Sequence, residues 1–325
     1  MPDPAPTPSP PAYKDRKIGL VVFGVVLLLI GAVCALLAAA GFLGAVLNQP
    51  GYNWKMSIGS AALYVTFAAS FVWLGIGSIL ARRWARTLIL MLAWAWWITG
   101  ILNAAVLAFL LPTMTKWMML GGEFGSDVER VYPIVLAVAL ILTVALLVVL
   151  PGVLILFYRS SHVLATVEAR DPRLSWTERR PRPVVLLSVA HAVLAYFLVL
   201  NGFMYGWTVP LFGVVAGGWA GALVVLASTG ASVYLTAALY ERGPSAWWIA
   251  TGLAAAWTVS AVTTFLRVPI ADYGEAIGMP PESLQVLAAM GDLTWATISS
   301  ILAISVPYFA YLVYAKRFYR AKSAR

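Results

Sequence analysis

The chain has 325 residues, 62% of them apolar and 11% charged, with a formal net charge of +9. Soluble domains carry roughly 25% charged residues, so this chain lacks the polar surface to cover a water-soluble core of its size. Composition therefore excludes a soluble enzyme or binding domain and predicts an all-α polytopic integral membrane protein. A disulfide framework is excluded too, because Cys34 is the only cysteine.

In chain order, the first twelve residues hold six prolines among Ala, Ser and Thr, which predicts a disordered lead over 1–17. The basic cluster Lys14, Arg16 and Lys17 follows that lead instead of opening it. The next apolar run is about twice the length of a signal-peptide core, so the start does not read as a cleavable signal. A helix that crosses the hydrocarbon needs about 20 apolar residues. Eight runs meet that length, at 18–47, 56–81, 87–111, 133–158, 184–204, 211–240, 245–266 and 292–315. The two 30-residue runs, 18–47 and 211–240, must tilt, protrude or break. Barrel strands would alternate apolar and polar residues, and these runs do not.

Loop charge sets the expected direction, since Lys and Arg concentrate on the cytoplasmic side. The lead, the loop after the second span, the central loop, the end of the sixth span and the tail together hold 18 of the 22 cations. Only Lys55, Lys116, Arg130 and Arg267 fall on the other side. Both termini are therefore expected in the cytoplasm, with the spans in the inner (cytoplasmic) membrane. The dispersed cations suit anionic lipid headgroups better than the single basic face that nucleic acid requires. Expected partners are membrane lipids, with partner membrane subunits or a second copy of the chain as further candidates, and no nucleic acid.

The sequence also carries a weak internal symmetry. Pro50 and Pro210, Ala62-Leu63 and Ala222-Leu223, and Arg82 and Arg242 are each 160 residues apart. Pro112 pairs with Pro269 at 157, and Pro151 with Pro307 and Tyr158 with Tyr314 at 156. The order of these matches predicts two parallel four-helix pseudo-repeats, 18–158 and 184–315, joined by a basic linker at 159–183 and followed by a basic tail at 316–325. The linker carries Tyr158-Arg159-Ser160, Arg170-Asp171-Pro172, Trp176-Thr177 and Pro181-Arg182-Pro183-Val184. Over these 27 residues it resembles a loop of uncharacterised bacterial polytopic membrane proteins, a resemblance that implies no activity.

Polarity differs between the halves, with nine neutral polar residues in the first four spans and eighteen in the last four. Ser228, Ser232 and Thr236 recur every four residues and share a face of the sixth span. Ser260, Thr264 and Arg267 form a similar stripe on the seventh, near Thr258. These stripes either line a path for a polar solute, with Arg267 at its mouth, or bond to helix carbonyls. Thr99 and Asn103 pair on the third span, and His191 lies on the fifth; each is an interhelical clamp or a solute contact. Pro151 and Pro307 predict matching helix breaks that free the carbonyls of Leu147 and Ala303. Paired breaks of this kind mark transporter sites but also serve static packing. Gly213, Gly217 and Gly221 read as a small-residue ladder on the sixth span. Pro280-Pro281-Glu282 opens a short amphipathic helix at the interface, and Asp292 is placed to cap the last span. Met114, Met118 and Met119 read as interfacial anchors in preference to a copper site, having no Cys or His beside them.

No Asp, Glu, Lys or Arg falls near the middle of a span, which argues against a charge-coupled proton pump. The two histidines, His162 and His191, do not allow bis-histidine haem ligation within the spans. There is no P-loop, zinc motif or nucleophile elbow, so no cofactor or metal is expected and catalysis is disfavoured. Two functions remain: a transporter-like or permeation protein for a small polar solute, and a non-catalytic accessory or assembly subunit of a membrane complex.

Overall fold

The computed structural model describes residues 13–47, 54–120, 126–289 and 291–319, with the backbone alone over 106–133. Residues 1–12 of the lead, Glu123, residues 320–325 of the tail and the side chains of Met114, Met118 and Met119 lie outside the described residues. The helices are α1 (Lys17–Val46), α2 (Trp54–Ile79), α3 (Arg83–Leu120), α4 (Ser126–Val144), α5 (Leu150–Arg159), α6 (Ser161–Arg170) and α7 (Arg182–Met204). A β-hairpin follows, β1 (Val209–Leu211) and β2 (Val214–Ala216). Beyond it come α8 (Gly218–Tyr240), α9 (Pro244–Phe265), α10 (Ile270–Ala276), α11 (Pro281–Ala289) and α12 (Thr294–Ala315). Among the described residues eight helical segments are long and apolar enough to cross a membrane, and they coincide with the eight expected runs. Helices suit this solvent because each satisfies its own backbone groups.

Two departures from the expected spans have physical causes. The run 211–240 is helical only from Gly218; its first residues belong to the hairpin, in which Val209 faces Ala216 and Leu211 faces Val214. Phe212 and Gly213 form the two-residue turn, both at positive φ (45° and 97°), the geometry that matches the twist of paired strands. Gly213, Gly217 and Gly221 therefore form no helical ladder. They stand in the hairpin turn, at the N-cap of α8 and in its first turn, respectively. The second departure is at Pro151. Ahead of it, Ala145–Val149 form a π-helical turn in which the Leu150 N–H donates to the Ala145 carbonyl. Pro307 sits inside an unbroken α12, so the two prolines do not produce matching breaks.

The chain divides into two compact units, one of residues 1–32 and 69–176, the other of residues 33–68 and 177–325. In the first, Leu20, Leu27, Leu74, Ile89, Leu154 and Tyr158 form a buried core with Val163 and Val167 of α6. Ser78 donates to the Leu20 carbonyl (2.8 Å) and bonds the Tyr158 hydroxyl, so one hydroxyl ties α1, α2 and α5 together. Gly100 of α3 lies against the π turn: a Cβ built there would meet the Leu147 carbonyl oxygen at 1.9 Å. The carbonyl that Pro151 frees is thus packed against a glycine, not turned into an open space.

Helix α6 also fastens the segment before α1. The Arg16 N–H donates to Thr166 Oγ1 at 3.0 Å, and Arg170 reaches Asp15 at 2.8 Å. The Arg170 hydrogen bond, then that from the Lys17 amide (2.9 Å), hold the Asp15 carboxyl below its ordinary value. A depressed carboxyl pKa stabilises the folded attachment above the unfolded value of about 3.9, and that contribution disappears as pH falls through the folded value. Asp15→Ala is expected to speed hydrogen exchange at the Lys17 amide at pH 7, and the difference from the parent is expected to shrink as pH is lowered below the unfolded value of about 3.9. A difference that does not depend on pH in that range refutes the carboxylate's role.

The second unit pairs α7 antiparallel with α8 and packs α9 against both α8 and α12. Val184, Leu187, Leu235, Leu239, Trp247, Ala250 and Leu312 form its largest core. Residues 54–68 of α2 pack on α7, where Thr66 donates to the Tyr196 hydroxyl at 2.7 Å. At the far end, Asp292 stands one residue ahead of the N-cap of α12, which is Leu293, and accepts the Thr294 N–H at 2.9 Å. Hydrogen bonds from Thr294 hold its carboxyl below the usual carboxylate range.

Candidate functional site

The polar residues of the second unit fall into two groups with different roles. The first is the stripe on α9. Ser260 Oγ donates to the Pro210 carbonyl (2.8 Å) and accepts the Phe212 N–H (3.0 Å). Thr264 Oγ1 accepts the Gly213 N–H (3.0 Å) and donates to the Ser260 carbonyl (2.8 Å). Both hydroxyls are buried. Arg267, one turn on, lays its guanidinium across Gly213, where a Cβ would meet the arginine at 2.9 Å. The stripe that reads in sequence as a path therefore serves as the seat of the β-hairpin. The plain alternative holds here in a form that periodicity does not foretell: the carbonyls and amides satisfied are those of the hairpin, about 50 residues distant in the chain.

The rest of this cap is built alongside. Thr208 donates to the Ala276 carbonyl at the end of α10 (3.3 Å), and Tyr273 packs edge-on against Phe265. Burial raises the Tyr273 phenol above its ordinary value. α11 is the short helix that Pro280-Pro281-Glu282 predicts, and its Leu284 lies close over Gly274 of α10.

The second group lies inside the bundle. Ser188 of α7 donates to the Thr236 carbonyl of α8, and Thr236 donates to the Ser232 carbonyl (2.9 Å). Trp257 Nε1 of α9 donates to Ser228 Oγ (3.1 Å), and Thr258 bonds Ser305 of α12 (3.1 Å). Tyr308 of α12 meets His191 Nε2 of α7 at 3.1 Å. Every one of the four helices thus offers a polar group to the interior. In the second unit three buried side-chain atoms have no hydrogen-bond partner among the described residues: the Tyr319 hydroxyl near the end of the chain, and, within this group, His191 Nδ1 and Ser232 Oγ, on side chains 3% and 0% exposed. The Ser188–Thr236 bond sets the register of the antiparallel pair, which brings residue 191 to the level of residue 232. Both lie roughly 12–14 Å from the ends of their helices at 1.5 Å per residue.

Thr99 and Asn103 belong to the other unit. Thr99 donates to the carbonyls of Ala95 (2.8 Å) and Trp96 (3.0 Å), and Asn103 to that of Thr99 (2.8 Å). Both side chains are exposed on α3 and do not join the interior group. The residues that sequence reasoning missed are Tyr308, Trp257 and Tyr319. Each counts as apolar in a hydropathy reading yet carries a donor, and Tyr308 follows directly on the singled-out Pro307. Among the described residues no cluster of three His, Cys, Asp or Glu side chains is suited to a metal ion.

What this arrangement offers chemically is hydrogen bonding without charge: no Asp, Glu, Lys or Arg lies between the terminal turns of α7, α8, α9 or α12. The groups it presents are an imidazole nitrogen, a serine hydroxyl and a phenol. No family model, curated protein or solved structure matches this chain.

Proposed function

We propose that this multi-pass membrane protein is a transporter-like or permeation protein for a small uncharged polar solute, with the interior of the second unit as its site. The observation that carries this reading is the pair of unpartnered atoms, His191 Nδ1 and Ser232 Oγ, buried at one level. An unpaired polar group in hydrocarbon costs several kcal/mol, and a bound solute that supplies one donor and one acceptor removes that cost. Ser228 extends the site along α8, and Tyr308 adds to it from α12. Support for both termini in the cytoplasm is the distribution of 18 of 22 cations to one side.

We further infer that the halves descend from a duplication. Besides the ordered sequence matches, the turns after α2 and α8 share one form. Ala81 (φ 53°) and Arg242 (φ 62°) are left-handed helix caps, with Arg82 donating back to Gly77 and Gly243 back to Ala238. Non-glycine residues rarely occupy that conformation; its recurrence in corresponding loops supports common descent with a one-residue shift, because the two caps are 161 residues apart and the Arg82–Arg242 match is 160.

The test is solute flux into proteoliposomes. Purified protein is expected to admit small neutral solutes such as glycerol or urea and to exclude Na+ and Cl−. Ser232→Ala removes a buried hydroxyl that has no partner, so it is expected to stabilise the protein by about 1 kcal/mol while lowering flux about tenfold. A stabilised variant with undiminished flux, or a parent protein that admits no neutral solute, overturns the reading.

A further inference from the structure

At the end of the second unit opposite the hairpin, the buried core joins the start of α7 to the end of α8, and the start of α9 to the end of α12. The cations that flank those helix ends are thereby collected: Arg180, Arg182, Arg242, Lys316 and Arg317. Three of them are laid over aromatic rings. Lys316 Nζ sits 4.7 Å from the rings of both Trp247 and Trp248. The Arg317 guanidinium lies 4.2 Å from Tyr314 and 4.9 Å from Phe318, and that of Arg180 lies 5.6 Å from Tyr240. Trp247 is itself fixed, since its Nε1 donates to the Leu312 carbonyl at 2.7 Å.

We propose that this end of the second unit binds the phosphate headgroup of an anionic phospholipid, with Lys316 and Arg317 as the anchoring cations. A cation on a ring face keeps its N–H donors on the side away from the ring, so it is held in place yet still able to bond an anion. Holding the side chain beforehand lowers the entropic cost of binding. The flank of the same site is apolar and open: Trp248 is 63% exposed, and Val313 and Tyr314 stand beside the cations on α12. Indoles in such positions belong at the level of the headgroups. A partner that offers negative charge next to hydrocarbon fits both features; a free anion uses only the first, and an acidic protein surface leaves the indole and valine in water. This inference stands independently of any transport activity.

The experiment measures unfolding temperature and retained lipid, by native mass spectrometry, for the full chain in neutral detergent. Phosphatidylglycerol, phosphatidylcholine and inorganic phosphate are added in separate arms. Phosphatidylglycerol is expected to raise the unfolding temperature by several degrees and to be retained about tenfold better than phosphatidylcholine. The double variant Lys316→Gln/Arg317→Gln is expected to lose that preference. Arg173→Gln, the same kind of substitution at a single cation of the exposed linker, is expected to keep it. Trp248→Ala leaves every charge in place and removes an exposed ring, and it is expected to weaken retention severalfold. Equal retention of the two lipids overturns the proposal, as does an equal loss in Arg173→Gln. Full reproduction of the shift by inorganic phosphate assigns the site to a free anion and overturns it as well.

Discussion

Gly221→Ala is expected to destabilise the protein by about 3 kcal/mol or more, the upper range for forcing an extra methyl group into a packed interior. A Cβ at Gly221 would lie 1.8 Å from the Trp207 carbonyl oxygen and 2.8 Å from that of Ala216. Both obstacles are backbone, so no side-chain rotation relieves them. The first turn of α8 must move away from the chain that leads into and out of the hairpin. Gly230 lies nine residues along the same helix, and a Cβ there meets nothing within 4 Å. Gly230→Ala is therefore expected to leave stability unchanged or raise it by up to about 1 kcal/mol, because alanine loses less conformational freedom in a helix. Unfolding midpoints of the two variants in one detergent decide the matter. If both fall equally, glycine itself, and not the close approach at Gly221, governs the helix.

That contrast bears on how much of the molecule is legible in its sequence. Existence and placement of the eight apolar helices follow from run length alone, because hydrocarbon leaves the backbone few alternatives. The hairpin does not follow, since an apolar strand buried in a membrane protein has the same composition as the helix next to it. Pro210 and the glycines at 213, 217 and 218 are the available signal, and equal spacing at 213, 217 and 221 disguises it as a helical ladder. Pro151 and Pro307 are indistinguishable in sequence, yet one follows a π-helical turn and the other lies in an unbroken helix. The difference arises at the neighbour: Gly100 accepts the displaced Leu147 carbonyl beside it, a long-range condition that local pattern cannot express.

The candidate site divides in the same manner. Face-sharing of Ser228, Ser232 and Thr236 is a property of helix geometry and was readable. Which hydroxyls are consumed by structure and which are left over is a property of tertiary partners. Ser260 and Thr264 look as available in the sequence as Ser232 does, but they serve the hairpin, whereas Ser232 serves nothing that the fold supplies. Sequence polarity thus overstates the number of available groups: within the bundle, counting satisfied groups leaves His191 Nδ1 and Ser232 Oγ, with Tyr308 bonded to the other nitrogen of His191.

Removal of the hairpin's seat carries the other large expected effect. Ser260→Ala takes away the acceptor of the Phe212 amide, and Thr264→Val, which keeps the side chain's shape, takes away that of the Gly213 amide. A buried donor left without a partner costs about 1–3 kcal/mol, so each single variant is expected to lose about that much. The two amides belong to consecutive residues of one turn, and once it has lifted off α9 the second hydroxyl has nothing left to hold. The double variant is therefore expected to lose less than the two singles combined, a coupling of about 0.5–3 kcal/mol. Thr263→Ala is the comparison, because Thr263 bonds only to carbonyls of its own helix, Val259 (2.7 Å) and Ser260 (3.1 Å). It is expected to cost under about 0.5 kcal/mol. Hydrogen exchange at the Phe212 and Gly213 amides locates the effect: rapid exchange there in the variants, with that of α8 unchanged, means that the hairpin is a separately seated cap. Strictly additive losses instead mean that the two hydroxyls act on independent parts of the fold. In that case the stripe on α9 has a role besides the hairpin, and the polar path that its spacing suggests regains its claim on Ser260 and Thr264.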